Sequence, residues 1–354
     1  MVEVLDPPRS VCLLRLSALG DTCHVIPLLR SLQAAWPHTR LTWVIGRAEA
    51  KLMRLIPDVE FIEVDKREGL GGLRALRRQL RHRRFDVLLH LQHSLRASAV
   101  SLCIRAERRI GFPRGEARDL QWLFTNETVK PSGRAHVVDS LLAFADALGV
   151  HSRAEDWTLP LPPEALARAR KLIPGYQSTL VISPCSSHPL RNWSAERYAA
   201  VADHAQRAQG MRVLICGGRS TAEREMADAI LSRSRTGPID LVGQDTLPEL
   251  LAVLARATVL LSPDSGPVHM ATLVNTPVIG LYAATPSARS GPYRSLDWCV
   301  DAHETAAARF RGKSAQALRW THKIEQEGVM DLIGVDQVIA RLDRLLAAPR
   351  AIAA

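Results

Sequence analysis

Aromatic side chains make up only 5% of the 354 residues, too few and too scattered for the stacking platform on which single-strand nucleic-acid binders hold bases. The six cysteines (Cys12, Cys23, Cys103, Cys185, Cys216 and Cys299) form no Cys-x-x-Cys pair. Cys12 and Cys216 sit in apolar, strand-like runs where a thiol acts as a small hydrophobe, so a reduced, cytoplasmic setting is expected. No apolar run approaches the roughly 20 residues of a membrane span. Met1 to Arg9 is acidic and proline-bearing rather than basic then apolar, so no secretory leader is expected. The nucleotide signatures are missing too. The turn Ser17–Asp21 has one glycine, Gly217-Gly218 lacks the third of a dinucleotide turn, and there is no Walker lysine motif. His90 and His93 would point apart at a strand end, and no carboxylate or cysteine cluster joins them, so neither a metal nor another cofactor is expected.

What is abundant is positive charge. The net charge of +10 calls for an anionic partner. Arg74, Arg77, Arg78 and Arg81 follow i, i+3, i+4, i+7 spacing and form one face of a helix, with Lys66, Arg67, Arg83 and Arg84 nearby. A solvated basic face is the plain alternative. The hydrophobic pattern alternates strand and helix. Strands are expected at Val11–Leu16, Leu41–Ile45, Glu60–Val64, Val87–His90 and Arg109–Phe112, with helices at Val25–Ala35, Leu70–His82, Arg96–Ile104 and Val137–Leu148. The proline-bearing segment His151–Pro163 reads as a connection, after which alternation restarts from Leu180–Ser183 to Val278–Leu281. The pattern predicts an α/β protein of two doubly wound parallel sheets facing a cleft. The first domain would span residues 1–160 and the second 161–330, with an amphipathic tail at 331–354.

Three strand-to-helix junctions carry the chemistry. The first, Leu16-Ser17-Ala18-Leu19-Gly20-Asp21, ends in a glycine that admits a close approach and a carboxylate able to cap a helix or act as a base. The second, Ser183-Pro184-Cys185-Ser186-Ser187-His188-Pro189-Leu190-Arg191-Asn192-Trp193, places two hydroxyls and then a guanidinium suited to clamping a diphosphate. The third, Ser262-Pro263-Asp264-Ser265-Gly266-Pro267-Val268-His269, opens a helix whose unpaired N–H groups suit an anion, unless Asp264 or Ser265 simply caps it.

In this order the three segments resemble the ADP-heptose–lipopolysaccharide heptosyltransferases, inverting glycosyltransferases of the two-domain GT-B fold. Cys185 stands where that family often has glycine and Arg191 where lysine is common. His90 and His93 flank Gln92 where Asp and Gly are frequent. The resemblance implies transfer of heptose from ADP-heptose to a hydroxyl of the lipopolysaccharide inner core by a peripheral protein of the inner membrane's cytoplasmic face. It implies Asp21 as the base, and a donor site of Ser186, Ser187, Arg191, Asp264, Ser265, Gly266 and His269. Glu223 (or its neighbour Glu225) would accept from the ADP ribose, and Asp264 from heptose hydroxyls. The acceptor side would use Gly20, Gln92, Lys66, Arg67 and the arginine face, and meet an anionic, lipid-linked sugar. The tail would cross back onto the first domain. A retaining hydrolase would need two carboxylates about 5–5.5 Å apart, and no such pair stands out. A nucleotide-sugar epimerase would share the fold and need no acceptor. A basic nucleic-acid-binding module would leave the Asp264 turn without a purpose, so no nucleic-acid partner is expected.

Overall fold

The computed structural model describes residues 6–175 and 177–348, so Met1–Leu5 and the end of the tail lie outside the described residues. The chain divides into two compact units, Met1–Pro160 and Leu161–Ala354. In the first, the order is β1 (Ser10–Leu14), α1 (Leu19–Cys23), α2 (Ile26–Ala35), β2 (Arg40–Gly46), α3 (Arg47–Met53), β3 (Val59–Val64), α4 (Gly69–Leu80), β4 (Phe85–His90), α5 (Leu95–Ser101), β5 (Ala106–Gly111), β6 (Glu127–Thr128) and α6 (Val137–Ala147). The second continues with α7 (Pro163–Leu172), β7 (Thr179–Ile182), α8 (Ala195–Arg207), β8 (Arg212–Ile215), α9 (Thr221–Arg233), β9 (Ile239–Asp240), α10 (Leu247–Arg256), β10 (Val259–Pro263), α11 (Gly266–Leu273), β11 (Val278–Tyr282), α12 (Ser287–Ser290), β12 (Val300–Asp301), α13 (His303–Arg311) and α14 (Val335–Ala347).

Both sheets are parallel and share one topology. The first runs β3-β2-β1-β4-β5-β6 and the second β12-β11-β10-β7-β8-β9. In each, the winding reverses at the centre, between β1 and β4 in the first sheet and between β10 and β7 in the second. Strands covered on both faces read as continuous apolar runs, and β1, β7 and β10 are buried along their whole lengths. Ligands of such sheets gather beyond the carboxyl ends of the strands, at the reversal. That places the useful positions after β1 and β4 in one unit and after β7 and β10 in the other.

Among the described residues, β1 to β5, β7 and β11 overlap the apolar runs named above, and β8, β9 and β10 fall within the restarted alternation. The two-residue strands β6 and β12 have no run to betray them. Strand β1 stops at Leu14, short of the expected Leu16, because the Leu16 N–H leaves the ladder and donates to Gln92 Oε1 at 2.7 Å. Helix α4 turns Leu73, Leu76 and Leu80 into the core while Arg74, Arg77 and Arg78 stay exposed.

One expectation needs correction. The C-terminal helix α14 packs on α8, β11 and β12 of its own unit. Its Val338, Leu342 and Leu345 join the core cluster that contains Leu180, Tyr198 and Ile279. The apolar face of the tail is thus covered by the second unit. Leu342 is fully buried there, so Leu342→Ala should lower the unfolding free energy by about 2–5 kcal/mol, the usual cost of such a cavity. Urea denaturation of the full chain measures it. A loss below about 0.5 kcal/mol, typical of a surface position, would contradict this packing.

Candidate active site

In the first unit, β1 delivers Arg15 and the α1 turn to the carboxyl edge. Asp21 lies in the first turn of α1, where its Oδ2 accepts the Ala18 N–H at 3.1 Å and meets Arg15 Nη2 at 2.7 Å. The carboxylate therefore serves partly as a helix cap. With 41% of its side chain exposed, it can still reach a solvent-borne hydroxyl. Arg15 is the element that motif reading missed. It is buried, donates from Nε to Ser17 O at 3.1 Å and from Nη1 to Leu91 O, and so ties β1 to β4 across the reversal. Its signal was an arginine inside the apolar run Val11–Leu16, where a charge requires partners. Gly20 is buried in α1.

Gln92 reaches the same edge from β4, joining Leu16 N–H to Ser94 Oγ. Behind it, the fully buried Gln121 donates to His90 O at 2.7 Å and lies 3.1 Å from His90 Nδ1. Burial, with the nearby Arg109 and His93, pushes the His90 pKa down to about 3, so the ring is neutral. His93 instead stacks on Phe112 and accepts the Arg118 N–H. The two histidines do part company, as their places at a strand end require. Lys66 stands after β3 at this edge, paired with the buried Glu49 at 2.7 Å. Gly46 leaves room for that pair, since a Cβ there would meet Glu49 Oε2 and the Leu16 carbonyl.

The far end of the arginine face is not gathered with these residues. Helix α4 starts beyond the carboxyl end of β3 and ends before β4 begins, so Arg81 lies at the opposite edge of the sheet. It lines a basic hollow of about 520 Å³ with His82, Arg83, Arg84, Arg105 and Arg109. Six-residue β4 separates that edge from Gln92, about 16–20 Å at 3.3 Å per residue. Arg83 and Arg84 are paired with Glu60 and Glu107. Arg67 is exposed, as are Arg74, Arg77 and Arg78.

In the second unit, hydroxyls bind the reversal together. Ser262 donates to Ser183 O at 2.8 Å, so it must accept from Ser265, 2.8 Å away. Ser265 is therefore not the side-chain cap of α11, which has none. Asp264 does not cap it either: it accepts from Thr285 Oγ1 at 3.0 Å and faces Arg191 Nη1 at 3.6 Å. Gly266 opens this helix, and His269 is buried within it.

The loop after β7 folds on itself. Ser186 N–H donates to Asn192 Oδ1 and its hydroxyl to His188 O, whereas Ser187 is exposed. Arg191 is 8% exposed and donates through Nε and Nη2 to Glu325 Oε1. Glu325, Thr285 and Lys323 complete this cluster, and no motif announced them because they come from loops remote in sequence. Burial pushes the Glu325 pKa up, but the Arg191 hydrogen bond and charge outweigh it and hold the carboxyl below its ordinary value. Partial desolvation of its ammonium, with Arg191 nearby, pushes Lys323 down.

Glu223 has a structural occupation. It forms the capping box of α9 with Ser220 and accepts the Gly218 N–H at 2.7 Å. Glu225 is exposed on the same helix. Burial, with the Glu223 charge nearby, raises the Cys185 thiol to about 11, so it stays protonated at neutral pH.

Two parallel sheets of matching topology, one bearing a carboxylate at its reversal and the other an arginine-held loop and a helix start without a side-chain cap, are the pair of Rossmann-like units from which the GT-B class is built. The family described as glycosyltransferase family 9 (heptosyltransferase) matches residues 73–318. The chain is 36% identical over 340 residues to the lipopolysaccharide core heptosyltransferase OpsX of Haemophilus influenzae, covering 96% of this chain and 98% of that one. It is 24% identical to lipopolysaccharide heptosyltransferase 3 of Escherichia coli, over 92% and 96% of the two chains. The fold is similar to a family 9 glycosyl transferase of Veillonella parvula (TM-score 0.78, 24% identity, 96% and 97% covered). It is also similar to the Escherichia coli heptosyltransferase WaaC solved with ADP (TM-score 0.66, 21% identity, 81% and 90% covered). This protein belongs to glycosyltransferase family 9, the heptosyltransferases. Membership favours neither an epimerase nor a nucleic-acid-binding module.

The neutral His90 makes an acid-stability prediction. The unfolded imidazole titrates near 6.5 and the folded one near 3. The unfolded chain thus binds more protons between these values, and stability falls as pH drops through them. Replacing His90 by Gln should remove about 2 kcal/mol of the loss between pH 7.5 and pH 5. Chemical denaturation of both proteins at the two pH values checks it. An unchanged pH dependence would mean that His90 is protonated as readily in the folded state as in the unfolded one.

Proposed function

We propose that this protein transfers heptose from ADP-heptose to a hydroxyl of the lipopolysaccharide inner core, inverting the anomeric centre. The observation that carries the reading is the equivalence of the two reversals. One unit presents Asp21 there, and the other presents Arg191, Lys323 and the start of α11. The names of the lipopolysaccharide heptosyltransferase relatives and the ADP in the WaaC structure supply the substrate class.

In this mechanism Asp21 removes the proton from the acceptor hydroxyl as its oxygen attacks the anomeric carbon from the face opposite the departing ADP. Arg15, 2.7 Å from Asp21 Oδ2, holds the carboxylate in place. Negative charge grows on the β-phosphate as the glycosidic bond breaks, and groups aimed at it count most there. Arg191 meets it with a charge-assisted fork, the exposed Ser187 adds a hydroxyl, Ser186 can do so only by giving up its bond to His188 O, and Gly266 with its helix start and His269 add donors. Asp264, an anion, accepts from heptose hydroxyls. The hydrogen bonds Glu223 makes to its own loop leave it a looser role, as acceptor from the ribose. Gln92, Gly20 and Lys66 border the acceptor.

Purified protein with ADP-heptose and a series of truncated core acceptors, analysed by mass spectrometry, tests the reaction. Product gaining one heptose is expected. Asp21→Asn should keep donor affinity and lower turnover at least about 10²-fold, as for a lost general base. Near-normal turnover in the folded variant would remove Asp21 from that role.

The same reading makes the protein a cytoplasmic, peripheral partner of the inner membrane. Among the described residues no helix is long and apolar enough to cross a membrane. Helix α4 is suited to lying against one. Leu70 is 73% exposed on the same face as the exposed Arg74, Arg77 and Arg78, a leucine amid cations. Leu95 and Leu102, at the two ends of α5, are exposed as well. Each cation near an anionic surface adds about 1 kcal/mol at most, weakened by salt. Charge reversal at Arg74 and Arg81 should reduce sedimentation with vesicles containing anionic lipid while ADP binding holds. Equal vesicle binding at low salt would leave the helix a solvated face.

A further inference from the structure

Arg191 is already in use. Its Nε and Nη2 both converge on Glu325 Oε1, and its Nη1 stands 3.6 Å from Asp264. A guanidinium presents parallel N–H groups matched to two oxygens of a carboxylate or phosphate, and here that fork is spent on one carboxylate oxygen. The cation is 8% exposed, and a buried charge needs a counter-charge. Lys323, in the same cluster, is depressed by desolvation and by Arg191 itself, as expected of cations sharing a confined place.

We propose that Glu325 is a stand-in anion, which neutralises the Arg191 fork when the donor site is empty and is displaced by the donor's diphosphate. This rests on the reading of Arg191 as the diphosphate-binding cation. The charge balance motivates it. Asp264 and Glu325 already bring two negative charges to Arg191 and Lys323. A diphosphate entering beside them would meet both carboxylates at short range, where repulsion is strong because water is scarce. Displacing Glu325 removes one of them and frees the fork.

The local structure permits such an exchange without refolding. Ile324 is fully buried and its N–H donates to Ala284 O at 2.8 Å, which pins the backbone just after β11. Only the Glu325 side chain has to swing, and it is 26% exposed, so solvent lies on one side of it. His188 Nε2 is 3.8 Å from the other Glu325 oxygen, and its Nδ1 is buried without a hydrogen-bond partner among the described residues. The imidazole is a ready second partner for the displaced carboxylate. The exchange also runs backwards: after transfer, Glu325 competes with ADP for Arg191 and speeds product release.

Calorimetric titration of the full chain with ADP and with AMP tests this on wild type, Glu325→Gln and Arg191→Ala. Thermal melting confirms that each variant is folded. Glu325→Gln removes the competing charge and should tighten ADP about ten-fold, the scale of one charge-assisted contact. AMP, which lacks the β-phosphate, should change much less. Steady-state turnover of Glu325→Gln should show a lower KM together with a lower kcat, because ADP leaves more slowly. Arg191→Ala should weaken ADP. If it does and Glu325→Gln leaves ADP unchanged or weaker, Glu325 orients the arginine and the stand-in role is wrong while the donor reading survives. Equal tightening of ADP and AMP would also overturn it. If Arg191→Ala leaves ADP affinity intact, the donor reading itself fails. Should Glu325→Gln not fold, Glu325→Asp, which shortens the reach to Arg191, decides by the same comparison.

Discussion

A parallel sheet buried on both faces keeps few polar side chains along its central strands and gathers them towards the strand ends. That constraint organises both halves of this protein. Where the winding reverses, two strand ends stand side by side with their helices diverging, and the main-chain ladder stops there. Side chains take over in each unit. Gln92 accepts the N–H of Leu16 across β1 and β4, and Ser262 donates to the carbonyl of Ser183 across β10 and β7. The residues proposed for chemistry hang from these stitches. Asp21 follows one, while Asp264 and the α11 helix start follow the other. Arg15 and Arg191 occupy corresponding places: each is a buried cation held at a reversal by an acid. The acids differ in origin, since Asp21 belongs to the adjacent turn and Glu325 to a distant loop.

The alternation of apolar runs and amphipathic stretches made the architecture legible, and Gly20-Asp21, Ser186–Arg191 and Asp264–Gly266 were legible as junctions of the right kind. Some features could not be read in this way. Strands β6 and β12 are two residues long and are held by their neighbours rather than by their own composition. Glu325, Lys323 and Thr285 reach the site from irregular segments with no period, so only folding reveals them. Glu223 entered the expected site through the resemblance alone, and its spacing from Ser220, that of a capping box, was a local signal legible beside it. The return of the tail to the first domain was implied by the resemblance alone; amphipathicity tells that a helix has an apolar face but not which surface covers it.

Positive charge, the loudest feature of the composition, turns out to be of two kinds. Lys66, Arg83, Arg84 and Arg108 are each matched to a glutamate and hold neighbouring strands and loops together. Arg74, Arg77 and Arg78 stand in solvent on α4, next to an exposed leucine. Spacing alone predicted the second group, because the i, i+3, i+4 rule reports which residues share a face. Pairing across strands obeys no such rule, so the first group was visible only as an excess.

The outer strands of the sheets have a further consequence. Among the described residues, three of the four edges, β6, β9 and β12, are two residues long. The fourth, β3, carries Glu60 and Glu63, which are bound to Arg83 and to Arg54. Short or charged margins offer a passing chain no template for strand addition. The protein can therefore keep two large apolar sheets in crowded surroundings without polymerising through their rims.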